Sequence, residues 1–285
     1  MRRASFSAMT TTESGSRVED GKFAASRREL GAKATGLSIL GPVVMLRPMR
    51  WFFRRGLRVL MYHKTSSAAA DEHTVNVAQL EGQLRWLRGE RFHFVTAAEV
   101  LRGALPEWPV LLTFDDAYVD TLELAAPVLG SLKIPAVVFV PTGAIGQTSS
   151  WDADARPLMD ARQLSTLAAR GFEIALHSHR HENYAGLTAE QISADVRASF
   201  SALREIGLTP VPALAYPYGG RPRDTAALAA MKRVLSKGGV QLAFRVGNRV
   251  NRLPLAEPLE IQRLSVRGDE SFGAFQRRMR WGRLL

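Results

Sequence analysis

From Leu57 onward the chain alternates short apolar runs with segments of helical periodicity, and few folds accept that alternation. The runs 58–62, 110–114, 136–140, 172–176, 213–216, 241–246 and 259–266 have the length and content of buried strands. Segments 77–87, 121–132, 161–169, 189–206 and 223–235 read as helices. In the fourth of these, Ile192, Val196, Phe200 and Leu203 fall close to a 3.6-residue period. Strands that alternate with helices pair in parallel, and about seven such units can close into a barrel. Such barrels keep their chemistry at the C-terminal ends of the strands. His63, Asp115, Asp116, His177 and Tyr218 all fall at or just past the end of an apolar run.

Two of those run ends carry the strongest chemical signal. Leu112-Thr113-Phe114-Asp115-Asp116 is an apolar run that stops at two adjacent carboxylates. Some sixty residues later, the run 172–176 stops at His177-Ser178-His179-Arg180-His181. An Asp-Asp pair by itself is an ordinary turn or helix cap. Behind a buried strand, and with a His-x-x-x-His to match, it reads as a site. Imidazoles four apart lie on one side of a helical turn and converge on a single ion. One Asp with two His suits a divalent metal that keeps open positions for water and substrate. The remaining Asp is then free to act as a base, and the outline is that of a hydrolase.

Thr113-Phe114-Asp115-Asp116 and His177-Ser-x-x-His181 resemble the first two motifs of the polysaccharide deacetylase family. These are metal-dependent carbohydrate esterases of the family 4 type, which share the chitooligosaccharide deacetylase homology domain. Leu60-Met61-Tyr62-His63 resembles the family's opening strand, and Ala136-Val-Val-Phe-Val-Pro-Thr142 the strand after the first motif. Ala215-Tyr-Pro-Tyr-Gly219 is similar to a variant third motif, and Leu259-Glu-Ile-Gln-Arg263 to the segment near the domain's end. The likeness runs in family order over residues 57–280, and its motif style is similar to that of exopolysaccharide and biofilm polysaccharide N-deacetylases.

The resemblance implies a distorted (β/α)7 TIM-like barrel. It implies one divalent ion on Asp116, His177 and His181, zinc first, with cobalt, nickel or manganese as alternatives. It makes Asp115 the base and the backbone N–H of Tyr218 an oxyanion donor. The chain departs from the family pattern at Ala215, where an Arg that braces the base usually stands. Arg263 is a candidate to supply that guanidinium and to orient Asp115 bidentately, or else is a surface arginine. It departs again at Ala117, where the family has Gly; that matters only if the backbone there needs φ > 0 or close approach. Family members often carry a late histidine as general acid, but the six histidines here are 63, 73, 93, 177, 179 and 181. His63 is the remaining candidate at a strand end, and biofilm deacetylases resembling this chain carry a Tyr-His there. His179 lies across the expected helical turn from the two ligands, and Ser178 is a cap or hydrogen bonder rather than a nucleophile. Trp151, Tyr216 and Tyr218 are suited to stacking on sugar faces, and Leu264 and Val266 to lining an acetyl pocket; each is equally at home in a core.

Composition agrees with one catalytic domain at residues 57–285. A chain of 285 residues, 46% of them hydrophobic, can bury a core of barrel size. With no cysteine, disulfides and thiolate metal sites are excluded. The net charge of +11 belongs to the ends: residues 1–58 hold 12 Lys/Arg against 4 Asp/Glu, and the tail from Arg277 adds four Arg and no acid. The middle is near neutral and carries no nucleic-acid footprint. Residues 1–56 form a basic extension, and its first 35 residues read as disordered. In it, 36–46 is too short an apolar run to span a bilayer, and no small-residue cleavage site follows it. Segment 36–55, with Trp51, Phe52 and Phe53 among arginines, reads either as an interfacial anchor that brings the protein to a membrane or as an ordered lead-in. The expected location is bacterial, cytoplasmic or peripheral to the membrane; the sequence leaves the oligomeric state open.

The expected function is removal of N-acetyl groups from N-acetylhexosamine units of a glycan or glycan precursor. The alternatives are an O-acetyl carbohydrate esterase of the same fold and a catalytically silent glycan-binding barrel.

Overall fold

A computed structural model describes residues 56–68 and 70–282. The expectations for the basic extension and its segment 36–55 lie outside the described residues, Gly56 excepted.

Among the described residues ten strands run in order: β1 (Arg58–Tyr62), β2 (Lys64–Ser66), β3 (Thr74–Asn76), β4 (His93–Val95), β5 (Pro109–Phe114), β6 (Val137–Val140), β7 (Glu173–Leu176), β8 (Ala213–Ala215), β9 (Leu242–Val246) and β10 (Ile261–Ser265). The main sheet is ordered β1-β10-β9-β8-β7-β6-β5-β4, wholly parallel, and a further β1–β5 pairing closes it. Three strands therefore reach β5. Tyr62 pairs with Phe114 and Arg58 with Val110, so β1 takes one whole edge. On the other edge β4 meets 109–111 and β6 meets 113–114. Hence β4 is an appendage, and the closed barrel has the seven strands β1 and β5 to β10, as expected. Small strands β2 and β3 form a separate parallel pair.

Around the barrel lie α1 (Val77–Gly89), α2 (Ala97–Arg102), α3 (Ala126–Leu132), α4 (Ala161–Ala169), α5 (Ala189–Glu205), α6 (Thr225–Lys237) and α7 (Phe272–Trp281); a π-helical turn, Thr121–Ala125, leads into α3. Their starts are written locally. Asn76 with Gln79, Thr96 with Glu99, Asp160 with Gln163, and Thr188 with Gln191 each form a reciprocal capping box. Each such cap stabilises its helix by about 1 kcal/mol. The short elements β2, β3, β4 and α2, and the terminal α7, were not expected from the apolar pattern. In β2, β3, β4 and α2, three to six residues are too few to show a period.

Period-two alternation sorts every barrel strand into two layers. Leu57, Val59, Leu111, Val137, Phe139, Ala175, Ala213, Ala215, Phe244 and Ile261 form the interior cluster. Leu60, Tyr62, Val110, Leu112, Phe114, Val138, Leu176, Leu214 and Leu264 pack outward with the helices in a second cluster. Both faces are buried, which is why these strands read as unbroken apolar runs.

Candidate active site

The interior cluster is capped at the C-terminal pole by polar side chains from the exits of β1, β5 and β7. Asp115 continues β5, its N–H donating to Tyr62 O at 3.0 Å. The chain then turns through two left-handed residues, Asp116 (φ 69°) and Ala117 (φ 57°). That turn swings the Asp116 carboxylate toward the exit of β7. The φ > 0 condition that makes a glycine useful after the pair is therefore met, and Ala117 bears roughly 1–2 kcal/mol of backbone cost for its Cβ.

The segment 177–181 is not a helical turn, contrary to expectation. It is a loop with Ser178 (φ 66°) and His181 (φ 56°) left-handed. The two imidazoles converge because the loop doubles back, not because they stack on a helix face. His177 Nδ1 lies 2.9 Å from Ala215 O, which sets Nδ1 as the donor and points the Nε2 lone pair into the site. Ser178 acts as the expected hydrogen bonder, its Oγ donating to Asp195 Oδ2 at 3.0 Å. His179 turns away to Thr142 Oγ1 (2.9 Å).

Asp116 Oδ1 lies 3.1 Å from His181 Nε2 and 3.4 Å from His177 Nε2. The three residues are buried and each offers one ligand atom, all within 4.8 Å of one another. Burial, with His181 beside it, holds His177 down to about 4 against the pull of Asp115 and Asp116. Burial would raise the Asp116 carboxyl, but His181, His177 and His63 hold it well below the carboxylate range. Asp116 Oδ1 is buried and takes no hydrogen bond among the described residues. An ionised carboxylate with a vacant lone pair, facing a neutral imidazole, is the donor state a divalent cation requires. The residues present fit such an ion.

Asp115 faces the same space without joining the group. Arg263 Nη1 and Nη2 donate to Asp115 Oδ1 and Oδ2 at 2.5 and 2.7 Å, a bidentate pair with both side chains buried. Arg263 is not a surface arginine; it is the third residue of β10 and points into the barrel over Phe139. Ala215, the small residue where the family pattern has an arginine, lines the same interior. Burial pushes the Asp115 carboxyl up, yet Arg263, then His177 and His63, more than offset it, and its pKa lies below the ordinary value. His63 Nε2 is 3.8 Å from Asp115 Oδ2. Burial lowers the His63 imidazole, with Asp115 and Asp116 opposing. His73 packs edge-on to His63, ring centroids 5.4 Å apart. His93 starts β4 at the other pole.

Two aromatic rings wall the group. Trp151 stacks on His181 at 4.0 Å and Tyr218, 61% exposed, meets it edge-on at 4.9 Å. Beside His63 and Tyr218 opens a cavity of about 640 Å³, lined also by Met61, His73, Asn248, Val266 and Arg267. Two residues expected at the substrate are instead core. Tyr216 is fully buried and its OH donates to Leu259 O, so neither face can meet a sugar. Leu264 is fully buried in the outward layer, opposite Leu60, and only its neighbour Val266 reaches the cavity. Asp195 was missed altogether. Its signal was a carboxylate three residues after Ile192, on the apolar face of a helix.

A parallel (β/α)7 barrel that gathers an Asp/His/His group and a braced second carboxylate at its C-terminal pole is the frame of a metal-dependent hydrolase. The family model for polysaccharide deacetylase matches residues 102–234. Asp115, Asp116, His177, His181 and Tyr218 lie inside the matched stretch, and His63 and Arg263 outside it. A poly-beta-1,6-N-acetyl-D-glucosamine N-deacetylase of Staphylococcus aureus (strain MRSA252) is 26% identical over 201 residues. That alignment spans 66% of this chain and 66% of the relative's length. Among solved structures, IcaB from Ammonifex degensii superposes with a TM-score of 0.65 at 24% identity, covering 80% of this chain and 97% of that one. The Streptococcus pyogenes deacetylase PplD also gives 0.65, at 21% identity, covering 79% and 98%. These two share the fold.

Proposed function

We propose that this chain is a metal-dependent N-deacetylase that releases acetate from N-acetylhexosamine units of a glycan. One observation carries the reading: a buried carboxylate, Asp115, braced bidentately by Arg263 and kept apart from the adjoining Asp116/His177/His181 group. Base and ligand set are separate, as amide hydrolysis needs.

A divalent ion on Asp116, His177 and His181 would supply Lewis-acid polarisation of the acetyl carbonyl, and zinc suits this donor set, with cobalt, nickel and manganese as alternatives. Asp115, ionised at neutral pH, takes a proton from the attacking water as its oxygen bonds to the carbonyl carbon. Arg263 fixes both carboxylate oxygens, so the base cannot rotate away from the water. The backbone N–H of Tyr218 donates to the oxygen that gains charge. His63, facing Asp115 across 3.8 Å, gives its proton to the nitrogen as the C–N bond breaks. Its lowered pKa makes the imidazolium a stronger acid. The products are acetate and a free amine. Trp151 and Tyr218 are the walls against which a sugar ring would lie, with the cavity beside His63 open to the rest of the chain.

The S. aureus relative's substrate, a poly-beta-1,6-N-acetyl-D-glucosamine, is the first to try. The test is acetate release from that polymer and from O-acetylated sugars by wild type and by Asp115→Asn and Asp116→Asn. Asp115→Asn is expected to keep its metal and lose turnover, and Asp116→Asn to lose metal. Release from O-acetyl substrates alone would make it an esterase, and none from either a binding protein. The same reading takes residues 1–56 as an extension dispensable for chemistry, with 36–55 as its membrane-facing part. A chain starting near Arg54 should then deacetylate normally and bind anionic vesicles less.

A further inference from the structure

His177 and His181 are held in different ways. The His177 ring is anchored directly, through Nδ1 to Ala215 O. The other ring nitrogen of His181, Nδ1, is buried and has no hydrogen-bond partner among the described residues. Ligating histidines are ordinarily aimed by a bond to that second nitrogen. For His181, direction must come from the backbone of the loop that carries it and from the rings of Trp151 and Tyr218 against it.

That backbone is unusual and is pinned from two sides. Ser178 and His181 are both left-handed, a conformation that non-glycine residues keep only when their surroundings impose it. From the exit of β6, Thr142 N–H donates to Ser178 O at 3.2 Å and Gly143 N–H to His179 O at 2.7 Å. The approach is so close that a Cβ on Gly143 would lie 2.6 Å from His179 O. From α5, Asp195 Oδ2 accepts the Ser178 hydroxyl at 3.0 Å and the His179 N–H at 2.6 Å. Asp195 Oδ1 accepts the Tyr184 hydroxyl at 2.5 Å. Asp195 is only 8% exposed and sits among Ile192, Val196 and Ser199 on the buried face of α5. A carboxylate there is costly unless its lone pairs are met, and the three bonds that meet them all come from residues 178–184.

We propose that Asp195 is a positioning residue for the metal group: by locking the Ser178–His179 backbone to α5, it aims His181, whose ring has no hydrogen-bonded anchor of its own. The inference rests on the reading of Asp116, His177 and His181 as metal ligands. Asp195 touches neither metal nor substrate, and its effect reaches the site through two residues of backbone.

The experiment titrates Co2+ alone into the chelator-stripped full-length chain, following the d–d absorption of the bound ion, with the thermal midpoint of each metal-free variant measured in parallel. Asp195→Ala is expected to weaken Co2+ binding by about 10–100-fold, the usual effect of losing an outer-shell partner, and to alter the absorption envelope. Asp195→Asn should lose less, because its carboxamide oxygen still accepts from Ser178 and His179. Ser178→Ala, which removes one of the two loop bonds to Asp195 and the weaker Glu182 N–H bond to Ser178 Oγ (3.3 Å), serves where Asp195→Ala does not fold; it should weaken binding to an intermediate degree. Tyr184→Phe removes the third bond to Asp195 without touching the loop, so it should lower the midpoint yet keep wild-type affinity and spectrum. The proposal is overturned if the variants at 195 and 178 bind Co2+ as wild type does. It is overturned equally if affinity falls in step with the midpoint across all four, Tyr184→Phe included. Failure of wild type itself to bind Co2+ would instead bring down the metal-site reading, and this inference with it.

Discussion

Replacing Arg263 by Met removes the guanidinium from a pair that has no access to water. Arg263 is 1% exposed, the Asp115 side chain 3%, and the two share bonds of 2.5 and 2.7 Å. Losing one member of a buried pair costs about 3–5 kcal/mol, because the other charge stays buried without compensation. At roughly 2–4 °C per kcal/mol for a domain of this size, the midpoint should fall by roughly 6–20 °C. The pH dependence carries a sign. In wild type the Asp115 pKa lies below the ordinary carboxylate value. Its contribution is therefore fully present above about pH 4 and lost as pH falls through the folded-state pKa. In Arg263→Met burial dominates and the pKa moves above the ordinary value. Ionised Asp115 then destabilises the fold increasingly as pH rises from about 4 to the raised pKa. The gap between the two proteins should be widest near pH 8 and narrow steadily toward pH 4. Urea unfolding of chelator-treated protein across that range measures it. Adding Asp115→Asn to Arg263→Met should return part of the loss, a coupling of a few kcal/mol in the double-mutant cycle, on the order of 2–3. A loss below about 1 kcal/mol at pH 8, or one that does not change with pH, would mean that this pair does not hold Asp115.

His63→Ala should leave metal content intact and lower kcat on amide substrates by ~10²–10⁴-fold, with a much smaller loss on an activated acetyl ester whose leaving group needs no proton; equal losses would make His63 structural. Ala117→Gly relieves a left-handed residue but loosens the unfolded chain by about 0.4–1 kcal/mol, so urea unfolding should show a gain of a few tenths to about 1 kcal/mol with metal affinity unchanged. A loss would mean that the buried methyl outweighs the strain. Burial pushes Asp120 up to about 7, though it accepts the Thr65 N–H at 3.0 Å. A raised folded pKa contributes stability that is full below the ordinary carboxylate value and gone above about 7, so the advantage of Asp120→Asn should grow from pH 4 to 7 and then level off. An advantage that is flat with pH would place Asp120 in contact with water.

The seven barrel strands, the main helices between them, and their closure into a parallel barrel could be read from the chain alone, whereas β2, β3, β4, α2 and α7 could not. The seven apolar runs and the helices between them are local patterns. The capping residues Asn76, Asp160 and Thr188 mark helix starts within a few positions of sequence. Asp115, Asp116 and His177 were legible for the same reason, since they stand directly behind runs whose burial is evident, and His181 by its spacing from His177. What lies across the barrel was not. The runs are buried on both faces, so alternation of polarity, the usual marker of an inward residue, is missing. Parity around the closed sheet alone decided that Arg263 points in and Leu264 out, and that Tyr216 turns to the helices while Ala215 lines the interior. The spacing of His177 and His181 suits a helical turn as well as it suits the observed loop. The loop prevails because Thr142, Gly143 and Asp195 reach it from a neighbouring strand exit and from α5. Local sequence sets what each segment can become, but a bond between residues 148 apart, such as Arg263 to Asp115, exists only once the barrel has closed around both.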